Sequence, residues 1–311
     1  MPLIYEICGD EAWTHTSAPL NRYWCFFGGV LGLEPQMDRL ETALRLHLTR
    51  NGCRQEVKWS NLSPRNLNLY KGVVEILIDH IRHHDLKYRQ VFLDRTFVHV
   101  PSPEEPILSD LDIQFRICHQ FLKHAFGLAH LLRAIGGFDR VFIRLDTHSS
   151  QRHKDKLCEL AERLPALLKR TDFEVKVAFV CSHHLVRLCA CDVLLGAAGS
   201  YGNKMHERRI AGSVKMTEKQ KCRLELAKFI YERLRGVNSE SRASKSFNWF
   251  ESTGLDGDTR NRFLHKIRIW KFRPRNFVID KGWQNDHLDK NGNYQGPEIV
   301  VPARLDEAKD R

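Results

Sequence analysis

The chain is short of the features that mark whole classes of protein. Nowhere in its 311 residues is there an apolar run near the ~20 that a bilayer-spanning helix needs, which excludes membrane insertion by that route. The first residues, Met-Pro-Leu-Ile-Tyr-Glu, lack a basic region followed by an apolar segment, so export is not expected and a cytoplasmic setting is. No Cys-x-x-Cys occurs. The nine cysteines, an odd number set mostly among apolar neighbours, read as buried thiols in a reducing compartment rather than as a disulfide framework. Cys189 and Cys191 have no second Cys or His pair at zinc spacing, which argues against a zinc site. Gly28-Gly29-x-x-Gly32 is not followed by Lys-Ser/Thr and does not support a nucleotide-cradling loop. No Ser-His-Asp or Cys-His arrangement stands in a recognisable context. A deficit of apolar residues is itself missing: at 42% hydrophobic and 10% aromatic, whole-chain disorder is excluded.

What the chain does have is positive charge, and it is unevenly placed. Lys plus Arg number 49 against 38 Asp plus Glu, a net charge of +11. Residues 204–275 alone carry 19 basic and 8 acidic side chains, which is the entire excess; the rest of the chain is neutral. Such asymmetry points to an acidic partner, nucleic acid first, with a solvated cationic helix face as the alternative. Trp249, Phe250 and Trp270 fall in the same stretch, where they would either stack on bases or pack in the core.

The order of apolar runs predicts an α/β fold with a central sheet. Strands are expected at 3–8, 23–33, 140–145 and 173–181, and a strand or hairpin at 89–100. Helices are expected from Pro35 to the stop at Asn51-Gly52, from Ser63-Pro64 through His80, from the Ser109 cap toward Gly136-Gly137, over 153–170 and 184–198, and from the Thr217-x-x-Gln220 capping box to Arg235-Gly236. Glu56-Val57-Lys58-Trp59 reads as a short extended piece. The organisation inferred is a core over 1–203, a basic helical extension over 204–280, and a polar tail over 281–311 that is expected to fray.

Four carboxylates stand where strands end or where an apolar element is interrupted: Asp10, Glu56, Asp146 and Asp192. Asp192 lies inside Leu-Cys-Ala-Cys-Asp-Val-Leu-Leu-Gly-Ala-Ala, where desolvation demands a partner charge, hydrogen bonds or a metal. Carboxylates at the C-terminal ends of neighbouring strands share one edge of a sheet, and hard oxygen donors suit Mg²⁺ or Mn²⁺. Glu11 points to the opposite side of the extended chain from Asp10 and reads as an outer group. Lys58, on the face of Glu56, would contact a phosphate or pair with that glutamate; both readings stay open. His80, His83 and His84 with Asp79 and Asp85 read as the polar end of a helix rather than a metal site.

Ile7-Cys8-Gly9-Asp10-Glu11-Ala12, Phe27-Gly28-Gly29-Val30, Glu56-Val57-Lys58-Trp59 with Ser63-Pro64 and Tyr70, Ile143-Arg144-Leu145-Asp146, Ser182-His183 and Cys191-Asp192-Val193-Leu194-Leu195-Gly196-Ala197 occur in that order over the first two thirds. This series resembles the bacterial family called domain of unknown function 3800. Two positions depart from its pattern: Ala12 replaces a serine, and Leu188-Cys189-Ala190-Cys191 replaces Gln-Leu-Ala before the last aspartate. The resemblance implies a ribonuclease-H-like mixed central sheet flanked by helices. It implies Asp10, Glu56, Asp146 and Asp192 as an acidic, metal-holding tetrad and raises His183 as a proton shuttle or phosphate ligand.

Together these readings predict a Mg²⁺- or Mn²⁺-dependent nuclease acting on RNA, RNA·DNA hybrid or DNA. Lys58, Lys204, Arg208, Arg209, Lys266, Arg268, Lys271 and Arg273 are the expected phosphate contacts. A role in phage defence or a mobile element follows by association alone. The alternatives are a non-catalytic nucleic-acid- or protein-binding module that keeps the fold, and an enzyme acting on a phosphorylated small molecule.

Overall fold

Two apolar runs near the N-terminus set the sheet. Strand β1 (Ile4–Ala12) and strand β2 (Tyr23–Leu33) pair antiparallel, Cys8 opposite Val30 and Asp10 opposite Gly28. β2 is buried along all but its last residue and β1 over Tyr5–Gly9, as strands covered on two faces must be. The computed structural model describes residues 3–13, 21–102, 104, 108–130, 139–146, 151–170, 173–208, 215–238, 247–253, 261–284 and 299–300.

Helix α1 (Glu34–Arg50) follows β2 directly, and helix α2 (Leu67–His83) follows a short connection. Strand β3 (Lys87–Asp94) pairs antiparallel with β2. Helix α3 (Asp110–Gln120), capped by Ser109 as expected, runs on into a π-helical turn at Phe121–Ala125. Strand β5 (Arg140–Asp146) lies parallel to β1. After helices α4 (Gln151–Glu162) and α5 (Leu164–Leu167), strand β6 (Glu174–Val180) lies parallel to β5. Helix α6 (Val186–Gly202) and helix α7 (Glu218–Asn238) complete one covering layer. Strand β7 (Ile267–Phe272), preceded by the short α8 (Asn261–Leu264), adds to β3 in parallel, so the main sheet runs β6-β5-β1-β2-β3-β7. A small second sheet orders β4 (Phe97–His99), β8 (Phe277–Asp280) and β9 (Ile299–Val300). The expected mixed α/β architecture is therefore present.

The sheet separates two cores. One face, with Cys8, Val30, Tyr88 and Ile269, packs under α1, α2, α6 and α7; the other, with Ile7, Leu31, Val91 and Ile143, packs under α3 and α4. Alternation along each strand assigns the faces.

Several expectations need correction. The basic segment 204–280 is not a helical extension throughout: Ile267 and Ile269 alternate with Arg268 and Trp270, a period of two, and the run becomes the sixth strand. Of the two readings left open for Trp249, the core one holds: it is fully buried beside Tyr231, with its indole N–H donated to Gln90 Oε1 at 3.2 Å. Of the strand or hairpin expected at 89–100, the strand is found, in β3, while β4 pairs with β8 rather than folding back on β3. The run Glu56–Trp59 is extended at Lys58 as expected but joins no sheet among the described residues; the Tyr70 hydroxyl accepts from Lys58 N (3.1 Å) and donates to Lys58 O (2.8 Å) in place of a ladder. At the start of the tail, α9 (Lys281–Gln284) is tied to Asp280, whose Oδ1 accepts from Gly282 N at 2.9 Å; apart from 299–300, the rest of the tail lies outside the described residues. Among the described residues no helix is long and apolar enough to cross a membrane. All nine cysteines are free and six are buried.

Candidate active site

Parallel pairing of β1 and β5 builds the first half of the site. Gly9 stands opposite Leu145, so the next residues along, Asp10 and Asp146, leave neighbouring strands side by side at the sheet's C-terminal edge. Both share the face of Cys8 and Arg144, the face that α6 covers. Arg187 near the start of α6 reaches the fully buried Glu6 of β1 at 2.7 Å, with Arg144 on the same carboxylate at 3.2 Å. Cutting one partner from a buried network of this kind costs about 3–5 kcal/mol, so α6 is fixed firmly against β1. That registration brings Asp192, seven residues into α6, over the ends of β1 and β5.

Glu56 and Lys58 arrive on the connection between α1 and α2. Trp59 seats this connection against α6 at Gly196, where an added Cβ would lie 2.2 Å from a ring carbon of Trp59; only glycine permits the approach. The Trp59 backbone N–H is thereby aimed at Asp192 and donates to its Oδ2 at 2.5 Å.

The four carboxylates converge through shared contacts. Ser182, buried just after β6, donates its hydroxyl to Glu56 and stands 3.2 Å from Asp146 Oδ2, while its backbone N–H donates to Asp146 Oδ1 at 3.1 Å. Lys58 Nζ lies 3.3 Å from Glu56 and 3.8 Å from Asp146. Burial, then the charges of Asp192 and Asp146, push the Asp10 carboxyl well above the carboxylate range. Burial also raises Asp192, to about 6, against the N–H of Trp59 and the ammonium of Lys58, which hold it down. Burial pulls Lys58 down, but Asp146, Glu56 and Asp192 more than offset it, and its ammonium is held above the usual lysine value. One lysine thus serves several mutually repelling carboxylates. Among the described residues no three His, Cys, Asp or Glu side chains are already arranged as a set that could hold one metal ion.

Glu11, on the other sheet face as expected, is half-buried there and raised to about 7 by desolvation and by Asp146. His183 is exposed, its ring 5.6 Å from that of His184, and among the described residues no hydrogen bond or ion pair joins it to the four carboxylates. It stands at the mouth of a cleft that Glu56 and Ser182 also line.

The expected phosphate contacts beyond Lys58 do not gather here. Strand β7 lies three strands from β1, about 14 Å across the sheet. Lys271 shares Asp10's face but is buried on Glu251 at 2.5 Å, and the Arg273 guanidinium covers the Phe97 ring at 4.5 Å. Arg268 points to the opposite face, toward the carbonyls of Arg262 (3.3 Å) and Ala125 (3.5 Å). Lys266 pairs with Asp85 at 3.5 Å. Arg208 is tied to Asn21 Oδ1 (2.8 Å) and Asn203 O (3.3 Å), and Lys204 closes the end of α6 with its N–H on Tyr201 O at 3.1 Å. Arg209 lies outside the described residues. From the basic segment, Lys219, whose Nζ donates to Ser60 O at 2.9 Å, and Arg223, 5.6 Å over the Trp59 ring, reach the connection that carries Glu56 and Lys58. Sequence reading missed both, and missed Ser182 as the bridge. Only Ser182 left a signal, through its place beside His183. The chain matches no protein-family model and no curated protein.

Proposed function

We propose that the protein is a divalent-metal-dependent nuclease whose centre is the cluster of Asp10, Glu56, Asp146 and Asp192. The observation that carries the reading is the meeting of four acidic side chains from four separate parts of the chain at one sheet edge. Two of them, Asp10 and Asp192, have pKa values pushed up by burial and by neighbouring carboxylates. Mutual repulsion of this kind is a standing cost to the fold that a bound cation would relieve. All four donors are carboxylate oxygens, the chemistry Mg²⁺ or Mn²⁺ prefers, so these residues would hold the metal. Bound there, it would supply Lewis-acid stabilisation of the phosphoryl oxygens and an activated water.

The chain's own residues account for the remainder. Ser182 holds Glu56 and Asp146 in fixed orientation, and the Trp59 N–H does the same for Asp192. Lys58 is the group suited to meet the scissile phosphate, exchanging its carboxylate partners for the substrate. The order β3-β2-β1-β5-β6, three antiparallel strands followed by two parallel ones, supports a ribonuclease-H-like fold and the resemblance to domain of unknown function 3800. A cytoplasmic setting and a role in defence against phage or in a mobile element belong to the same reading.

A second reading, a non-catalytic binding module, is favoured by one observation: Lys58 already pairs with two of the four carboxylates. Labelled RNA, hybrid and DNA incubated with and without Mn²⁺ separate the two. The nuclease reading expects Mn²⁺-dependent cleavage that Asp10→Asn abolishes; binding without cleavage under any divalent metal leaves the module.

A further inference from the structure

Beside the acidic cluster lies a cleft of 270 Å³. Its inner wall is apolar, with Leu48 from α1 and Val186 and Cys189 from α6. Three cationic or hydrogen-bonding groups stand on it: Arg45, Arg54 and His183, all exposed. Arg45 is held in place by the carbonyl of His184 at 2.6 Å and by Glu41 at 2.7 Å, while Arg54 has no ion-pair or hydrogen-bond partner among the described residues. On the remaining side the cleft shares Glu56 and Ser182 with the carboxylate cluster.

An apolar wall takes a flat ring, a basic rim takes a phosphate, and the shared side fixes both next to the proposed cleavage point. The volume is near the lower end of small-molecule sites, roughly 300–1,000 Å³, and suits one nucleotide rather than a base pair. A base held in a duplex has its faces stacked and its edge paired, so it can enter such a cleft only after being unstacked and unpaired, which costs free energy that a single strand does not incur. We propose that this cleft binds one unpaired nucleotide adjoining the scissile phosphate, and that the substrate class is therefore single-stranded nucleic acid. The proposal rests on the reading of the neighbouring cluster as a nuclease centre.

The test uses the full chain in EDTA, titrated by fluorescence anisotropy with a short labelled oligonucleotide, as RNA and as DNA, single-stranded and annealed to its complement. The single strand is expected to bind at least about tenfold more tightly than its duplex, the scale of one accommodated base. Thr49→Trp, placed on the exposed last turn of α1 at the cleft, is expected to abolish that preference while leaving duplex binding within about twofold, and Arg54→Glu, which reverses the charge of the basic rim, is expected to weaken single-strand binding at least about tenfold more than duplex binding. Equal binding of single strand and duplex by the parent overturns the proposal, as does a preference that survives both variants. A cleavage arm with Mn²⁺ separates the two readings. Cleavage of single strand and duplex alike rejects the cleft and keeps the nuclease; single-strand preference with no cleavage of any substrate keeps the cleft and rejects the nuclease.

Discussion

The carboxylates at the ends of β1 and β5 and the cations of residues 204–275 are both charged sets, yet the fold treats them oppositely. Among the described residues, several of the cations are taken up by structure. Lys271 is buried on Glu251, Arg268 on backbone carbonyls, and α7 trades Lys71–Glu225 and Arg233–Glu75 pairs with α2. The carboxylates are gathered with too few cations, and burial together with repulsion raises Asp10 and Asp192. Net charge along a sequence therefore identifies neither the reactive region nor the free one. Four acidic residues in a neutral stretch are the part left electrostatically unsatisfied, while among the described residues of the basic third several cations, Lys271, Arg268 and Arg233 among them, hold α7 and β7 in place.

The strongest way to break this contrast is to remove an unsatisfied carboxylate. Asp10→Asn is expected to lower Mn²⁺-dependent cleavage on the order of a thousandfold, the loss of several kcal/mol of transition-state stabilisation, with the fold retained by circular dichroism. Cleavage near the parent rate would show that the cluster is structural.

Next comes stability. Burial moves the Asp192 carboxyl from 3.8 to about 6. The unfolded chain ionises this group near its ordinary value and the folded chain only at higher pH, so its stabilising contribution is full below about pH 4 and lost as pH rises through about 6. At pH 7 the ionised group opposes folding. Asp192→Asn is expected to raise unfolding free energy by about 2 kcal/mol at pH 7 and by little at pH 4, read from urea melts at both pH values. Mn²⁺ should stabilise the parent and leave the variant unmoved. A variant less stable than the parent at pH 7 would mean that Lys58 and the Trp59 N–H already neutralise the site.

On the other side of the contrast, Lys271→Ala is expected to behave as a core mutation. It strips the partner from Glu251 and leaves space beside Phe97, for a loss of about 1 kcal/mol in a urea melt, with affinity for single-stranded nucleic acid unchanged. A drop in affinity without a drop in stability would return this lysine to the binding surface.

How much of this was legible in the sequence follows from the range of each signal. β1, β2, β5, β6 and α6 carry their own periodicity and stops, so their places were readable. The acidic residues were readable as well, because a carboxylate interrupting an apolar run is conspicuous. What could not be read is pairing between distant segments. Nothing within residues 267–272 says that they will join β3, and Arg268 and Lys271 look equivalent until alternation sends them to opposite faces. Ser182 was hidden for the same reason: its role depends on Glu56 and Asp146 being brought to it from 126 and 36 residues away. Lys219 and Arg223 sit in an ordinary amphipathic helix, and only the docking of α7 beside Trp59 and Ser60 distinguishes them.

The smallest expected effect gives the finest test of the contrast. Lys266 pairs with Asp85 across 3.5 Å at the surface, with side chains 34% and 62% exposed. An exposed pair of this kind contributes about 0–1 kcal/mol, so Lys266→Ala should shift a urea midpoint barely beyond error. Its place on the sheet is remote from the carboxylates, at the start of β7 and on the far side of β3. If nucleic acid tracks only the acidic edge and its neighbours Lys58, Lys219 and Arg223, Lys266→Ala leaves the slope of log affinity against log salt unchanged, whereas Lys219→Ala lowers its magnitude by about 0.7 for a single strand. Equal changes in slope for the two variants would mean that the polyanion also crosses the β7 edge, and that part of the basic third is still available to a partner after the fold has used the rest.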